Sequence, residues 1–148
     1  MSKREDLIVE LKKRIENSSG GYPLTVVEGS GGLEDLKNFP TVFLFEDRED
    51  TAYQKPGMYY KTLPIQIEFF QRLANVNDTY SEGKKILEAI CTAIETDDRF
   101  NEICVQYSMI ANQIIELRDG VVDVIVVYEF VYVDKFLGHD ASRPFGKS

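Results

Sequence analysis

Few residues in this chain could do chemistry, and none stands in a pattern that chemistry needs. His139 is the single histidine and is followed by Asp140, the two side-chain types of a general acid–base pair. The pair lies in a stretch with Gly138, Pro144 and Gly146 that has low structural content, so it reads as a chance neighbour on a tail. Gly29, Gly31 and Gly32 look like a phosphate loop only at first sight. They lack the G-x-x-x-x-G-K-[ST] spacing and do not lead into a well-capped helix where an anion would sit. Asp97 with Asp98, and Glu49 with Asp50, could share a divalent cation, but they read better as solvated charge at a helix end and in a loop. Cys91, on a predicted helix, and Cys104, in a predicted strand, are too few for a disulfide framework and too sparse for zinc, and read as small buried hydrophobes. No catalytic residue, metal or cofactor is expected.

Composition narrows the class further. The chain has 148 residues, 43% hydrophobic and 28% charged, which suits one globular domain burying roughly 70% of the surface its unfolded form exposes. A formal net charge of −8 argues against gripping nucleic acid or an anionic membrane by surface attraction, though not against DNA sliding past. Without a basic groove, the abundant tyrosine and phenylalanine are core and interface groups rather than base-stacking platforms. No apolar run is long enough to span a bilayer, and MSKREDL lacks the hydrophobic segment of a signal peptide, so a cytosolic chain is expected.

The elements available to position anything begin with a helix over Lys3 to Asn17. Ser2 and Glu5 form a capping box, and Leu7, Ile8, Leu11 and Ile15 share a face, with Lys12, Lys13, Arg14 and Glu16 on or near the other. Leu24 to Glu28 is a short strand, and a brief helical or irregular piece follows around Leu33 to Asn38. Thr41 to Glu46 is apolar on both faces and reads as a buried strand. Glu46 to Met58 reads as a long charged loop, of the kind that is either a surface excursion or a partner-binding segment. Tyr59 to Leu73 is a long strand that must be an edge or bulged at Pro64, which cannot donate a ladder hydrogen bond. Asp78 or Thr79 caps a second helix whose stripe is Ile86, Leu87, Ile90 and Ile94. Strands are predicted at Ile103 to Met109 and at Gln113 to Arg118, the latter turning at Asp119-Gly120 into Val121 to Val133.

That last strand, VVDVIVVYEFVYV, is interrupted only by Asp123 and Glu129 on one face and must be covered substantially on both. Strands lie about 4.8 Å apart and a helix is about 10 Å across, so two helices shield about four strands, and on one face only. A sheet of five or six strands then keeps an apolar patch that neighbouring copies must cover, unless the strands curl into a sandwich.

The order of these elements resembles the small tail-terminator proteins of long-tailed bacteriophages. The resemblance is carried by the first helix, the strand Phe39-Pro40-Thr41-Val42-Phe43-Leu44-Phe45, the charged loop, the strand Leu63 to Phe70, the second helix, and the hairpin closing on Val126-Val127-Tyr128-Glu129. It implies an α+β fold, a single mixed, mainly antiparallel sheet with two helices packed on one face and a long hairpin-linked C-terminal strand. One domain would occupy residues 1–133 and a C-terminal tail 134–148, which exceeds the family pattern. The resemblance further implies a homo-hexameric ring at the head-proximal end of the virion tail, assembled in the host cytoplasm. Such a ring caps the tail-tube protein, stops polymerisation and meets a head-tail connector or neck protein, while DNA passes through its channel without specific binding and no membrane is involved. By the same analogy Glu46, Asp47, Arg48, Glu49, Asp50, Tyr53, Lys55 and Met58 would contact the tube or a neighbouring subunit, and Phe136 and His139 an adjoining ring. A head-tail connector or neck subunit of the same particle, or a small cytosolic enzyme or ligand-binding domain, are the alternatives.

Overall fold

The Ser2 hydroxyl accepts the Glu5 N–H at 3.1 Å and the Glu5 carboxylate accepts the Ser2 N–H at 3.2 Å, a reciprocal cap that starts α1 (Lys3–Asn17) where the sequence predicts. In this computed structural model residues 2–18, 24–29, 31–32, 36, 39–73 and 78–134 are described, without the side chains of 53–55. The described strands are β1 (Thr25–Glu28), β2 (Thr41–Glu46), β3 (Asp50–Lys55), β4 (Met58–Arg72), β5 (Gln106–Glu116) and β6 (Val121–Asp134), with α2 (Thr79–Ile94) between β4 and β5. They form one mixed sheet in the order β1-β2-β4-β6-β5, parallel only between β1 and β2, with β3 paired to β4 beside β2. The α+β architecture is therefore the expected one, and the sheet does not close into a barrel.

Two local expectations are corrected. The stretch Glu46 to Met58 is not a loop: β3 turns at Gly57 (φ 79°) and pairs back along β4, from Asp50 opposite Thr62 to Lys55 opposite Met58. The two strands predicted within 103–118 are one, β5, whose register on β6 shifts between Met109 and Ala111. A bulge there exposes both Met109 and Ile110 and reverses the alternation, which is why the sequence reads as two pieces. Pro64 meets its expectation as a local edge, since β2 pairs with β4 only as far as Ile65 and β3 only as far as Thr62. The Pro64 carbonyl accepts the Asp47 N–H at 2.9 Å, so its missing donor faces the gap where β2 ends and β3 begins, and no ladder bond is lost.

The core sits on one face. Leu7, Leu11 and Ile15 of α1 and Ile90 and Ile94 of α2 pack on Val122, Val124, Val126, Tyr128 and Phe130 of β6 and on Leu63, Ile65, Ile67 and Phe69 of β4, all at most 2% exposed. Gly83 lets α2 approach: a Cβ there would meet Ile114 Cγ2 at 2.6 Å and Val122 Cγ2 at 3.1 Å. The hairpin into β6 turns through Asp119 (φ 59°) and Gly120 (φ 72°), and a Cβ on Gly120 would lie 2.6 Å from the Leu73 carbonyl oxygen, so glycine is required there for both backbone angle and space.

Arg14 corrects a further expectation. It is 7% exposed rather than on the polar face, because seven residues after Leu7 it falls within the apolar stripe. Its guanidinium donates to the Ile94 carbonyl at 2.6 Å, to Glu10 at 2.7 Å and to Asp97 at 2.6 Å, and lies 4.1 Å from the centroid of the buried Phe100 ring. Burial opposes its charge, but the bonds to Glu10 and Asp97 outweigh that and raise its pKa. Asp97 also accepts the Asn101 N–H at 2.6 Å, and that bond, followed by Arg14, holds its carboxyl below the usual range. The clamp ties α1 and α2 to a turn in which Phe100, Asn101 and Glu102 all take left-handed backbone angles, a conformation that costs non-glycine residues about 1 kcal/mol or more each.

Candidate assembly surface

Alternation along β6 separates its two faces sharply. Val122, Val124, Val126, Tyr128, Phe130 and Tyr132 are buried under the helices, whereas Ile125, Val127, Glu129, Val131 and Val133 on the other face are only half-buried. In register with the latter lie Glu68, Gln66, Thr62 and Tyr60 of β4 and Gln113, Ala111 and Gln106 of β5. Phe45 of β2 shares this face and is 39% exposed. Among the described residues one end of this face is sealed, where Phe43, Phe70 and Val121 pack with Leu36, Phe39 and Leu117. Both α1 and α2 place their buried residues on the opposite side, so among the described residues neither helix covers this face.

Two carboxylates sit together toward the sealed end. Asp123, opposite Phe70 and Ile115, is 5% exposed and its Oδ1 has no hydrogen-bond partner. Burial, and then the hydrogen bond and charge of Glu68 on the adjoining strand, push its pKa up to about 8. At neutral pH Asp123 therefore holds its proton, which spares the buried site a charge.

The predicted charged loop is a structural clamp as well as a surface. Glu46 accepts from Arg4 at 2.8 Å, and Glu49, with an 18% exposed side chain, accepts the Tyr132 hydroxyl and lies 3.4 Å from Arg4 and 3.8 Å from Lys61. Burial and the bond to Glu49 both raise the Tyr132 pKa. These contacts bind the β3 hairpin to α1 and the sheet. Asp47 and Arg48 are exposed, and the Asp47 carboxylate accepts the Arg48 N–H at 2.7 Å. Asp50, Tyr53 and Lys55 take ladder positions, and Met58 is half-buried. Phe136 and His139, like most of the piece expected around Leu33 to Asn38, lie outside the described residues.

The lateral edges differ from each other. β1 is four residues long, whereas β5 presents an eleven-residue edge, QYSMIANQIIE, whose single charged residue is its last, Glu116. Such an edge, with Ile110 51% exposed, lacks the lysines and prolines that usually blunt free strands. A groove of about 770 Å³ between α1 and α2 is lined by Lys13, Asn17, Lys85, Glu88 and Thr92 among others, a surface of solvated side chains. Cys104 is buried and its thiol is pushed up to about 12 by burial, and Cys91 is also raised, so neither offers a ready thiolate. Among the described residues no cluster of three or more metal-ligating side chains occurs, and no helix is long and apolar enough to cross a membrane.

No protein-family model and no curated protein matches the chain. Among solved structures, a chain from the virion of a native gene transfer agent particle has a similar fold, with a TM-score of 0.51 at 13% identity over 84% of this chain and 92% of that one.

Proposed function

We propose that this chain is a structural subunit of a long-tailed, phage-like virion, and within it the terminator that assembles as a hexameric ring on the last tail-tube ring and joins tail to head. The observation that carries the reading is the sheet with one face sealed by both helices and the other still lined by half-buried Ile125, Val127, Val131 and Val133. An apolar sheet surface of this kind is stable in water when another subunit covers it. A ring needs two different surfaces per subunit, because cyclic contacts are head-to-tail, and this chain has them in the open face and the unblunted β5 edge. The likeness to a chain of a gene transfer agent virion supports the particle, and the family resemblance supplies the ring and the capping role. A net charge of −8 suits a channel that DNA traverses without sticking.

Light scattering on the purified protein tests the ring, for which a hexamer is expected. Mixing it with tail-tube protein and measuring tube lengths by electron microscopy tests the cap: growth should stop at shorter lengths. Undiminished growth alongside binding to a neck protein would favour the connector reading instead.

A further inference from the structure

β6 ends at Asp134, opposite Tyr59, at the corner of the sheet beside the β3 hairpin. Residues 135–148, KFLGHDASRPFGKS, differ in character from the rest of the chain. They carry Lys135, Arg143 and Lys147 against Asp140, a net positive charge on a chain whose total is −8, with Phe136, Leu137 and Phe145 as apolar anchors. The open sheet face has the opposite character. Its described side chains on β2, β4, β5 and β6 include the carboxylates Glu68 and Glu129 between aliphatic rows, and one cation, Arg72, already stacked at 4.7 Å on Phe39.

We infer that residues 135–148 of one copy lie across the bare part of the open sheet face of the neighbouring copy, with their aromatic residues on the aliphatic rows and Arg143 among the carboxylates. This rests on the ring reading above and names what covers the face. Charge complementarity selects the occupant: a cationic, aromatic segment fits a face that is acidic and aliphatic, and the acidic remainder of the chain does not. Length is sufficient. At ~3.4 Å per residue the segment reaches ~48 Å, about twice the ~24 Å width of five paired strands, so it can leave its own copy and cross the next. The contact is head-to-tail, as a closed ring requires, since the corner that sends the arm differs from the face that receives it. Glu129, which interrupts the apolar pattern of β6, gains a partner in this arrangement.

The test co-expresses two full-length copies with different tags, one carrying the photo-reactive residue p-benzoylphenylalanine at Phe145, and maps cross-links after illumination. Products joining residue 145 to strand peptides of the other copy, within 60–72 or 121–134, are expected. Arg143→Glu should weaken the contact about fivefold, and Glu129→Arg in the same chain should restore it. Cross-links confined to the arm's own chain, cross-links to helix peptides, or none at all would overturn the inference. Light scattering on the same sample separates the two ideas. An oligomer with those outcomes removes the arm and leaves the ring, whereas a monomer removes both.

Discussion

Adjacent residues on β6 provide the sharpest test of which face is sealed. Val126 is 0% exposed, in the core with the α1 and α2 side chains, while Val127 is half-buried on the open face. Val126→Asp forfeits about 1.5–3 kcal/mol of apolar burial and strands a carboxylate among fully buried aliphatic side chains, at a cost of several kcal/mol more. Against a total stability of about 5–15 kcal/mol, that change leaves the chain largely unfolded. Val127→Asp, one residue away, should cost about 1 kcal/mol from strand preference and the proximity of Glu129, or about 3–4 °C in Tm. Its fold should survive and its assembly should not, because the charge lands where a neighbour must cover apolar surface. Circular dichroism melts and light scattering on both variants decide the matter. Equal loss of Tm in both would mean that the open face is sealed within the chain. A stable Val127→Asp variant that still assembles would refute the use of this face between copies.

Three further outcomes follow from particular contacts. Asp123 has its pKa raised from 3.8 to about 8 in the folded chain, so between those values the native state holds a proton that the unfolded state has lost, and stability should fall as pH rises from about 4 to about 8. Asp123→Asn should flatten that slope and be more stable than the parent at pH 8, as read from denaturant midpoints across pH, and an unchanged slope would contradict the assignment. Arg14→Met should cost about 2–4 kcal/mol by removing the bonds to Ile94, Glu10 and Asp97, and should speed hydrogen exchange at the Asn101 amide without altering the oligomer. Gly83→Ala, which by helix preference alone would stabilise α2 by about 1 kcal/mol, should instead lower stability by about 1–3 kcal/mol, because the new methyl meets Ile114 Cγ2 at 2.6 Å. A raised Tm in that variant would show that α2 can move off the sheet.

What the sequence determined by itself is the local order of the chain. The capping box at Ser2 and Glu5, the stripes of α1 and α2, the β-branched run of β6 and the Asp119-Gly120 turn are all set by contacts a few residues apart, and their positions could be read without tertiary information. Even the face that α1 and α2 leave to other partners was legible, as an excess of apolar strand over the width of two helices. Tertiary structure decided the rest. The polar segment Asp50–Lys55 is a strand only because the end of β4 offers it a partner, and no periodicity of its own announces that. Glu49 reads as free surface charge until folding brings Arg4, Lys61 and Tyr132 around it from three other elements. Asp123 reads as an interruption on a strand and becomes a proton-holding group because folding buries it and, second, pairing β6 with β4 sets Glu68 beside it. For Glu49 and Asp123 the deciding neighbours Arg4, Tyr132 and Glu68 lie tens of residues away, and only the register of the sheet, which sums many weak pairings along its length, says which side chains meet.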